Sequence, residues 1–231
     1  MPQIDIDGAN SKISADKLQG QSGTTVTVPT GHTVAITDSG GLTLAGTAVN
    51  AGSLGAWKLI GTSVASGSAS LTQTGLDSTY GTYAIILSDI VPSTDAVVFY
   101  MQMGDSSGID SGASDYMWHT GRTHTGSAST YLSNVSASDS KIELGNGAGM
   151  GTGTGEGLGA VLYLVRPSNG TMYPTLCGTY TQIHASSAYK SQGGNVIACR
   201  LSVISLDRIL IKMSSGNIAS GRMSIYGISH T

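Results

Sequence analysis

The sequence predicts an all-β protein, and three observations support that fold class. Short apolar segments alternate with polar residues at the period of two that half-buried strands require. Turn-forming residues interrupt these segments throughout a chain of 231 residues that has 33 glycines, 33 serines and 25 threonines. No capped apolar stretch with the helical period is longer than about ten residues. We therefore expect a short N-terminal stalk of eight-residue β-rungs followed by a jelly-roll-like β-sandwich.

The stalk is predicted from an eight-residue repeat between Val26 and Val49. Each unit has two apolar residues separated by Thr or Ala, and turn formers separate the units, as at residues 29–32. The apolar positions of the repeat are Val26, Val28, Val34, Ile36, Leu42 and Leu44. Three such rungs have too little apolar surface to fold alone, because repeat units bury their faces against neighbours. The repeat therefore predicts an oligomerisation stalk.

Composition shifts divide the chain into three segments. Residues 1–20 form an N-terminal arm or anchor, residues 21–53 form the stalk, and residues 54–231 form the sandwich. Segment Ala96–Met103 is expected to be a central strand, since it is almost entirely apolar at its start. The strand signals of the sandwich are Ala56–Ile60, Ala69–Thr72, Tyr83–Leu87, Ala96–Met103, Tyr116–His119, Lys141–Leu144, Gly159–Arg166, Tyr173–Tyr180, Asn195–Val203, Arg208–Met213 and Gly221–Ile228. The stretch 214–220 is too long for a tight hairpin and suits a loop at the sandwich edge.

A run of alternating glycines precedes one of these strands. Every odd-numbered residue from Gly145 to Gly159 is glycine. In a strand, this spacing would place all the glycines on one face and let another backbone approach closely. The alternative is a surface loop, which we prefer because glycine costs conformational entropy in a strand.

The densest group of functional-looking side chains is Tyr116, Trp118, His119, Arg122 and His124. Exposed aromatic and hydrogen-bonding side chains of this kind can contact a sugar or another protein. The competing interpretation is that Trp118 packs into the rim of the sandwich, since Trp is usually largely buried. The spacing of His119 and His124 does not suit a zinc site, and neither Cys nor a carboxylate lies near enough in sequence to complete one.

Motifs that resemble catalytic sites lack the context that their chemistry needs. Gly104–Gly108 matches G-x-S-x-G, but a nucleophile elbow requires a helix directly after the serine, and loop sequence follows Ser106. Glycosidases place two carboxylates in a groove, whereas this chain has only two glutamates, Glu143 and Glu156, in unrelated contexts. A glycan depolymerase or esterase is thus the weaker alternative, and we expect no catalytic residues.

Three aspartates, Asp105, Asp110 and Asp115, recur every five residues in a Ser/Gly-rich loop. They could surround a calcium ion, although the EF-hand pattern is absent. We prefer Asx-turns, which need no metal, and we expect neither a metal nor a cofactor. Cys199 lies in the strand signal Asn195–Val203 and shares a face with Ile197, so it is expected to be a buried free thiol.

Charge and hydropathy limit the partners of the chain. The net charge is −3 and the basic residues are scattered, so no basic stripe is present to bind nucleic acid. No apolar run approaches the roughly 20 residues that a membrane-spanning helix needs, which predicts no membrane insertion. The first seven residues lack the basic and apolar regions of a signal peptide, so we expect synthesis in the cytoplasm.

Two parts of the chain resemble known virion proteins. Ser22–Thr33, running into Gly41–Val49, resembles the N-terminal stalk of tailed-bacteriophage virion surface proteins. Met103–Tyr116 and Ser214–Ile228 resemble the β-sandwich domain that follows the stalk in these proteins. The resemblance covers most of residues 20–230 and carries over no catalytic residue.

The resemblance implies a virion structural protein made in the host bacterium. Proteins of this type include tail fibres, head fibres and capsid-decoration proteins, and they are commonly homotrimers with a β-prism or β-helix-like stalk. The implied partners are other copies of the chain and other virion proteins of the capsid or tail. A receptor-binding tip or lectin-like module that contacts a host surface glycan is the alternative. The stalk here has only three rungs, which favours a compact surface knob over a long fibre.

Overall fold

The computed structural model describes residues 43–44, 47–48, 56–124, 131–145, 149–165, 167–185 and 191–229. The chain divides into two units, Met1–Ala51 and Gly52–Thr231. In the first unit, strands β1 (Thr43–Leu44) and β2 (Thr47–Ala48) pair in antiparallel fashion. Leu44 thus lies in a strand, as the repeat predicts. The other predicted stalk positions, Val26, Val28, Val34, Ile36 and Leu42, lie outside the described residues, and their role stays a prediction.

The second unit is built from antiparallel strands, and its described residues contain no helix. In chain order its strands are β3 (Trp57–Ser68), β4 (Ser70–Thr74), β5 (Thr82–Pro92), β6 (Phe99–Asp105), β7 (Gly108–Ile109), β8 (Tyr116–His124), β9 (Leu132–Asp139), β10 (Ile142–Leu144), β11 (Gly157–Val165), β12 (Thr175–Ile183), β13 (Ser191–Arg200), β14 (Arg208–Met213) and β15 (Ile218–Ile228). The all-β prediction is therefore confirmed for this unit.

The strands form two sheets. The larger sheet has eight strands in the order β3-β15-β5-β11-β12-β13-β8-β9, and the smaller has the order β10-β6-β14-β4 with β7 paired to β6. One hydrophobic core joins side chains from both sheets, among them Ile85 and Leu162 from the larger and Met101 and Ile211 from the smaller. Their alternation along each strand leaves the opposite side chains on the outer faces.

Along the described strands of the second unit the chain changes sheets eight times, and the connections β3–β4 and β14–β15 are two of these crossings. Gly67, near the end of β3, has a φ of 66°, which suits glycine, and β4 begins three residues later. The Ser63 hydroxyl of β3 donates to the Thr72 carbonyl of β4 at 3.0 Å. Between β14 and β15 the segment 214–217 crosses from the smaller to the larger sheet. The predicted loop 214–220 is therefore shorter than expected, because residues 218–220 belong to β15.

Each of the eleven strand signals overlaps a strand, and Arg208–Met213 coincides with β14. The predicted central strand, Ala96–Met103, corresponds to β6, which lies between β10 and β14. Two strands were missed: β7 has only two residues, and β9 is Ser-rich with an exposed valine. Neither offers the apolar alternation from which strands are predicted.

The glycine run is part loop and part strand. Met150 is buried and makes isolated bridges to Val97 and His184, so the described loop 149–156 is tied to the sandwich. A Cβ at Gly149 would overlap the backbone of Ala96, which explains why glycine is needed there. Among the described residues of the run, those from Gly157 onward lie in a strand, so the loop interpretation holds for 149–156 and close backbone approach holds at Gly149.

Candidate interaction surface

Strand β8 carries the predicted recognition residues and alternates between the core and the outer face. Tyr116 is fully buried and Trp118 is 4% exposed, with its Nε1 donating to Asp139 Oδ2 at 3.2 Å. The surface-recognition interpretation is therefore wrong for these two aromatic residues, and the packing alternative for Trp118 holds. Burial opposes ionisation of Asp139, but hydrogen bonds from Lys141 and the Ser140 N–H outweigh it and lower the carboxyl pKa.

Tyr116 is an anchor for the loop that precedes it. Its hydroxyl accepts the Met103 N–H at 2.7 Å and lies 2.9 Å from the carbonyl oxygens of Met103 and Asp110. Burial raises the pKa of Tyr116 above its ordinary value, so the phenol stays protonated and donates to these carbonyls. This side chain therefore has a structural role that its place among the candidate recognition residues did not suggest.

Each of the three loop aspartates contacts a neighbouring group of the protein. Arg200 Nε contacts Asp110 Oδ2 at 2.8 Å, and Arg200 Nη2 contacts Asp115 Oδ1 at 3.0 Å. Asp105 instead accepts the Ser107 N–H at 2.8 Å, and this hydrogen bond lowers the pKa of its carboxyl. The Asx-turn interpretation is thus confirmed at Asp105, while Asp110 and Asp115 are held by an arginine that sequence reasoning did not connect with them.

The G-x-S-x-G match forms a hairpin. Strand β6 ends at Asp105, two residues turn, and β7 begins at Gly108, whose φ is 138°. A Cβ at Gly104 would overlap the carbonyl oxygen of Gly108, so this glycine permits close approach of the two strands. The helix that a nucleophile elbow needs after its serine is replaced here by the β-turn.

The remaining β8 candidates are divided between the two faces. Arg122 lies on the core side, and its Nε is buried without a hydrogen-bond partner among the described residues. Burial lowers the pKa of its guanidinium. His119 lies on the outer face, and His124 ends the strand. In the described ranges, no group of three or more His, Cys, Asp or Glu side chains is arranged to hold a metal ion.

The outer face of the eight-stranded sheet is mainly apolar. One row of paired residues crosses all eight strands: Val135, His119, Ile197, Cys177, Tyr163, Ala84, Tyr226 and Leu59. Val135 is 68% exposed and Ile197 is 58% exposed. Ile197 was expected to share a buried face with Cys199, and that expectation is wrong for Ile197, because Val196 and Ala198 face the core instead.

The rows on either side also lack Asp, Glu, Lys and Arg, although one of them consists mainly of Ser, Thr and Asn. One contains Ser133, Gly121, Asn195, Thr179, Val161, Ile86, Ser224 and Thr62, and the other contains Met117, Cys199, Thr175, Val165 and Thr82. None of the three rows includes Asp, Glu, Lys or Arg. Arg222 is the first charged residue beyond them, paired with Val64 and Ser88. We call these three rows the outer face.

A groove and an aromatic cluster lie at opposite ends of the outer face. The groove has a volume of about 400 Å³ and is lined mainly by apolar side chains, including Met117, Val135 and Ile197 together with His119. At the other end, the Trp57 ring lies 6.4 Å from that of Tyr163 and 5.9 Å from that of Tyr226. The order of the strands thus brings together exposed residues that are far apart in sequence.

The smaller sheet presents a different surface. Its outward side chains include Arg208, Lys212 and Glu143, because Ile209 and Ile211 face the core. Lys141 contacts Glu143 at 3.3 Å and lies 4.9 Å from the centre of the Tyr100 ring. These charged side chains therefore lie on the outer surface of the smaller sheet, whereas the three rows of the eight-stranded sheet contain none.

The two glutamates are engaged separately. Glu143 is in β10 of the smaller sheet, whereas Glu156 precedes β11 of the larger sheet and accepts the Gly153 N–H at 2.6 Å. Glu156 also borders a polar depression of about 500 Å³, together with Asp89 and Thr181. Each glutamate thus has its own local partner.

Comparisons with protein families, with curated proteins and with solved structures found no match to this chain. No helix in the described part of the chain is long and apolar enough to cross a membrane.

Proposed function

We propose that this chain is a non-enzymatic structural protein of a bacteriophage virion, an oligomeric appendage on the particle surface. The sequence resemblance of Ser22–Thr33 and Met103–Tyr116 to phage virion proteins supports the placement. The observation that carries the structural role is the outer face, a partly apolar surface without Asp, Glu, Lys or Arg that a partner could cover. Monomeric proteins rarely expose large contiguous apolar patches, and those that do usually use them for association.

In this proposal the repeat forms a homotrimeric β-prism stalk and the second unit is a jelly-roll-like knob. The chain is made in the host cytoplasm and joins the particle as a capsid-decoration or head-fibre protein, or as a short tail fibre. A Val34→Asp variant should lose the trimer, because a charge inside a prism has no partner there. Analytical ultracentrifugation that finds an intact trimer in this variant contradicts the proposed stalk.

The virion placement is tested by locating the protein on intact particles. Antibodies against the purified chain are gold-labelled and imaged on particles that have been separated from lysate by density gradient. We expect labels at fixed positions on the capsid or tail, and peptides of this chain in the same gradient fraction by mass spectrometry. Particles that lack both the label and the peptides contradict the proposal.

A receptor-binding role is the second candidate, and one observation favours it. Trp57 is 44% exposed and lies beside two tyrosine rings, and exposed aromatic rings stack on sugars at low entropy cost. A glycan array distinguishes the two roles: host-glycan binding that Trp57→Ala abolishes supports recognition. Trp118→Ala is unsuitable for this test, because Trp118 is buried and its removal disturbs the core.

A further inference from the structure

The outer face and the surface of the smaller sheet differ in a way that solvent exposure alone does not explain. Both are strand surfaces with alternating side chains. Arg208, Lys212 and Glu143 lie on the surface of the smaller sheet, whereas the three rows of the outer face contain no Asp, Glu, Lys or Arg. Protein interfaces are depleted of charge at their centres, and those between identical subunits are the more apolar ones. The outer face thus has the composition of an interface.

The size of the outer face is close to what stable association needs. Strands about 4.8 Å apart and rows about 6.6 Å apart give roughly 32 Å² for each residue position, and the three rows contain 21 residues. The product is about 700 Å², against about 800 Å² for each partner in an interface of standard size. A small ligand would cover only a part of this area, whereas a second protein surface of similar shape covers all of it.

The chemistry of the face favours a copy of the same chain as that protein. An acidic or basic partner would gain no electrostatic attraction to this face, because the three rows contain no Asp, Glu, Lys or Arg. Two copies of the same face meet without like-charge repulsion, and two sheets can pack face to face about 10 Å apart. Hydroxyl groups such as those of Thr62 and Ser224, which already bond to each other at 2.9 Å, need no new partner on association.

We propose that the outer face of the eight-stranded sheet packs against a second copy of this chain. The inference deepens the proposed function, since it rests on the outer face being an assembly surface and names the partner. It places a self-association surface within the sandwich, in addition to the one predicted in the N-terminal repeat. The central strands β11, β12 and β13 are buried by this contact.

A matched pair of substitutions tests the proposal in the full-length protein. Thr179→Lys places a charge at the centre of the outer face, and Thr72→Lys makes the same change at an exposed strand position of the smaller sheet. Ile197→Lys is a second outer-face variant in case the first does not fold, which circular dichroism checks. The exposed thiol of Cys177, in the middle row, is the reporter.

The measurement is the rate at which N-ethylmaleimide modifies Cys177, followed by peptide mass spectrometry over a hundredfold range of protein concentration. Sedimentation velocity is run on the same samples. We expect modification of the wild-type oligomer to be at least tenfold slower than that of Thr179→Lys. Thr72→Lys should behave like the wild type.

Two outcomes overturn the inference. Equal modification rates in the wild type and Thr179→Lys show that the face is uncovered. Slow modification of a wild-type species that sediments as a monomer shows that the chain's own N-terminal part covers the face. Particle labelling separates this result from the proposed function: an oligomer with protected Cys177 that is absent from particles contradicts only the virion placement. A particle-borne protein with reactive Cys177 contradicts only the self-association.

Discussion

Replacing Tyr116 by Phe removes one oxygen atom from the core and tests the role assigned to that side chain. The Tyr116 hydroxyl is the acceptor that the structure gives the Met103 N–H, at 2.7 Å, and it lies 2.9 Å from the Asp110 carbonyl. Both Tyr116 and Met103 are fully buried, so water does not replace the lost partner. The variant therefore leaves a buried donor unpaired.

The size of the effect follows from the cost of such a donor, which is about 1–3 kcal/mol. Tyr83→Phe is a matched control, because Tyr83 is equally buried and its hydroxyl also accepts a backbone N–H, that of Asp77, at 2.9 Å. Asp77 is exposed, so water takes over the lost hydrogen bond there. We expect Tyr83→Phe to cost only about 0.5–1 kcal/mol.

The assay is urea unfolding at one fixed protein concentration, because association changes apparent stability. Tryptophan fluorescence follows the transition, and linear extrapolation gives the free energy of unfolding of each variant. Tyr116→Phe should be the less stable of the two with an unchanged m-value. Equal free energies for the two variants, or a loss at Tyr116 below about 0.5 kcal/mol, would refute the reasoning.

Three further predictions concern the loop network, the hairpin and alkaline pH. Arg200→Met should cost about 3 kcal/mol in urea unfolding, because two partly buried carboxylates lose their partner, and Asp110→Asn should cost less. Gly104→Ala should lower the melting temperature strongly in calorimetry, since its Cβ overlaps backbone, whereas Gly170→Ala has open space and should match the wild type. Burial raises the pKa of Tyr83 to about 12, so the protonated form is favoured in the folded state. The contribution of protonated Tyr83 to the free energy of unfolding is fully present below about pH 10. It falls by about 2–3 kcal/mol as the pH rises through 12. Thermal unfolding from pH 9 to 12 should show a shallower loss in Tyr83→Phe, and an identical slope contradicts this assignment.

Much of the fold was predictable because strand formation depends on local alternation. Segments such as Arg208–Met213, with Ile209, Ile211 and Met213 at every second position, place one face in the core whatever their neighbours are. Strand β9 was not predictable, since Leu132–Asp139 is rich in serine and its pairing with β8 depends on the sheet that already exists.

The candidate surface was only partly predictable. His119 was singled out and does lie on the outer face, in the apolar groove with Ile197 and Val135. Tyr116 and Trp118 belong to the same strand but point to the core, because residues of even and odd number lie on opposite faces. No local signal connects Val135 with Ile197, since they are neighbours only through the order of strands β9, β8 and β13.

The sequence by itself determined that the second unit is all-β and where most of its strands lie. Only the tertiary structure decided which face of each strand is inside. In β13, Val196 and Ala198 alternate with Ile197 and Cys199, so both faces are apolar and periodicity gives no preference. The smaller sheet covers one face and leaves Ile197 exposed, because a two-layer sandwich can bury only one side of each sheet.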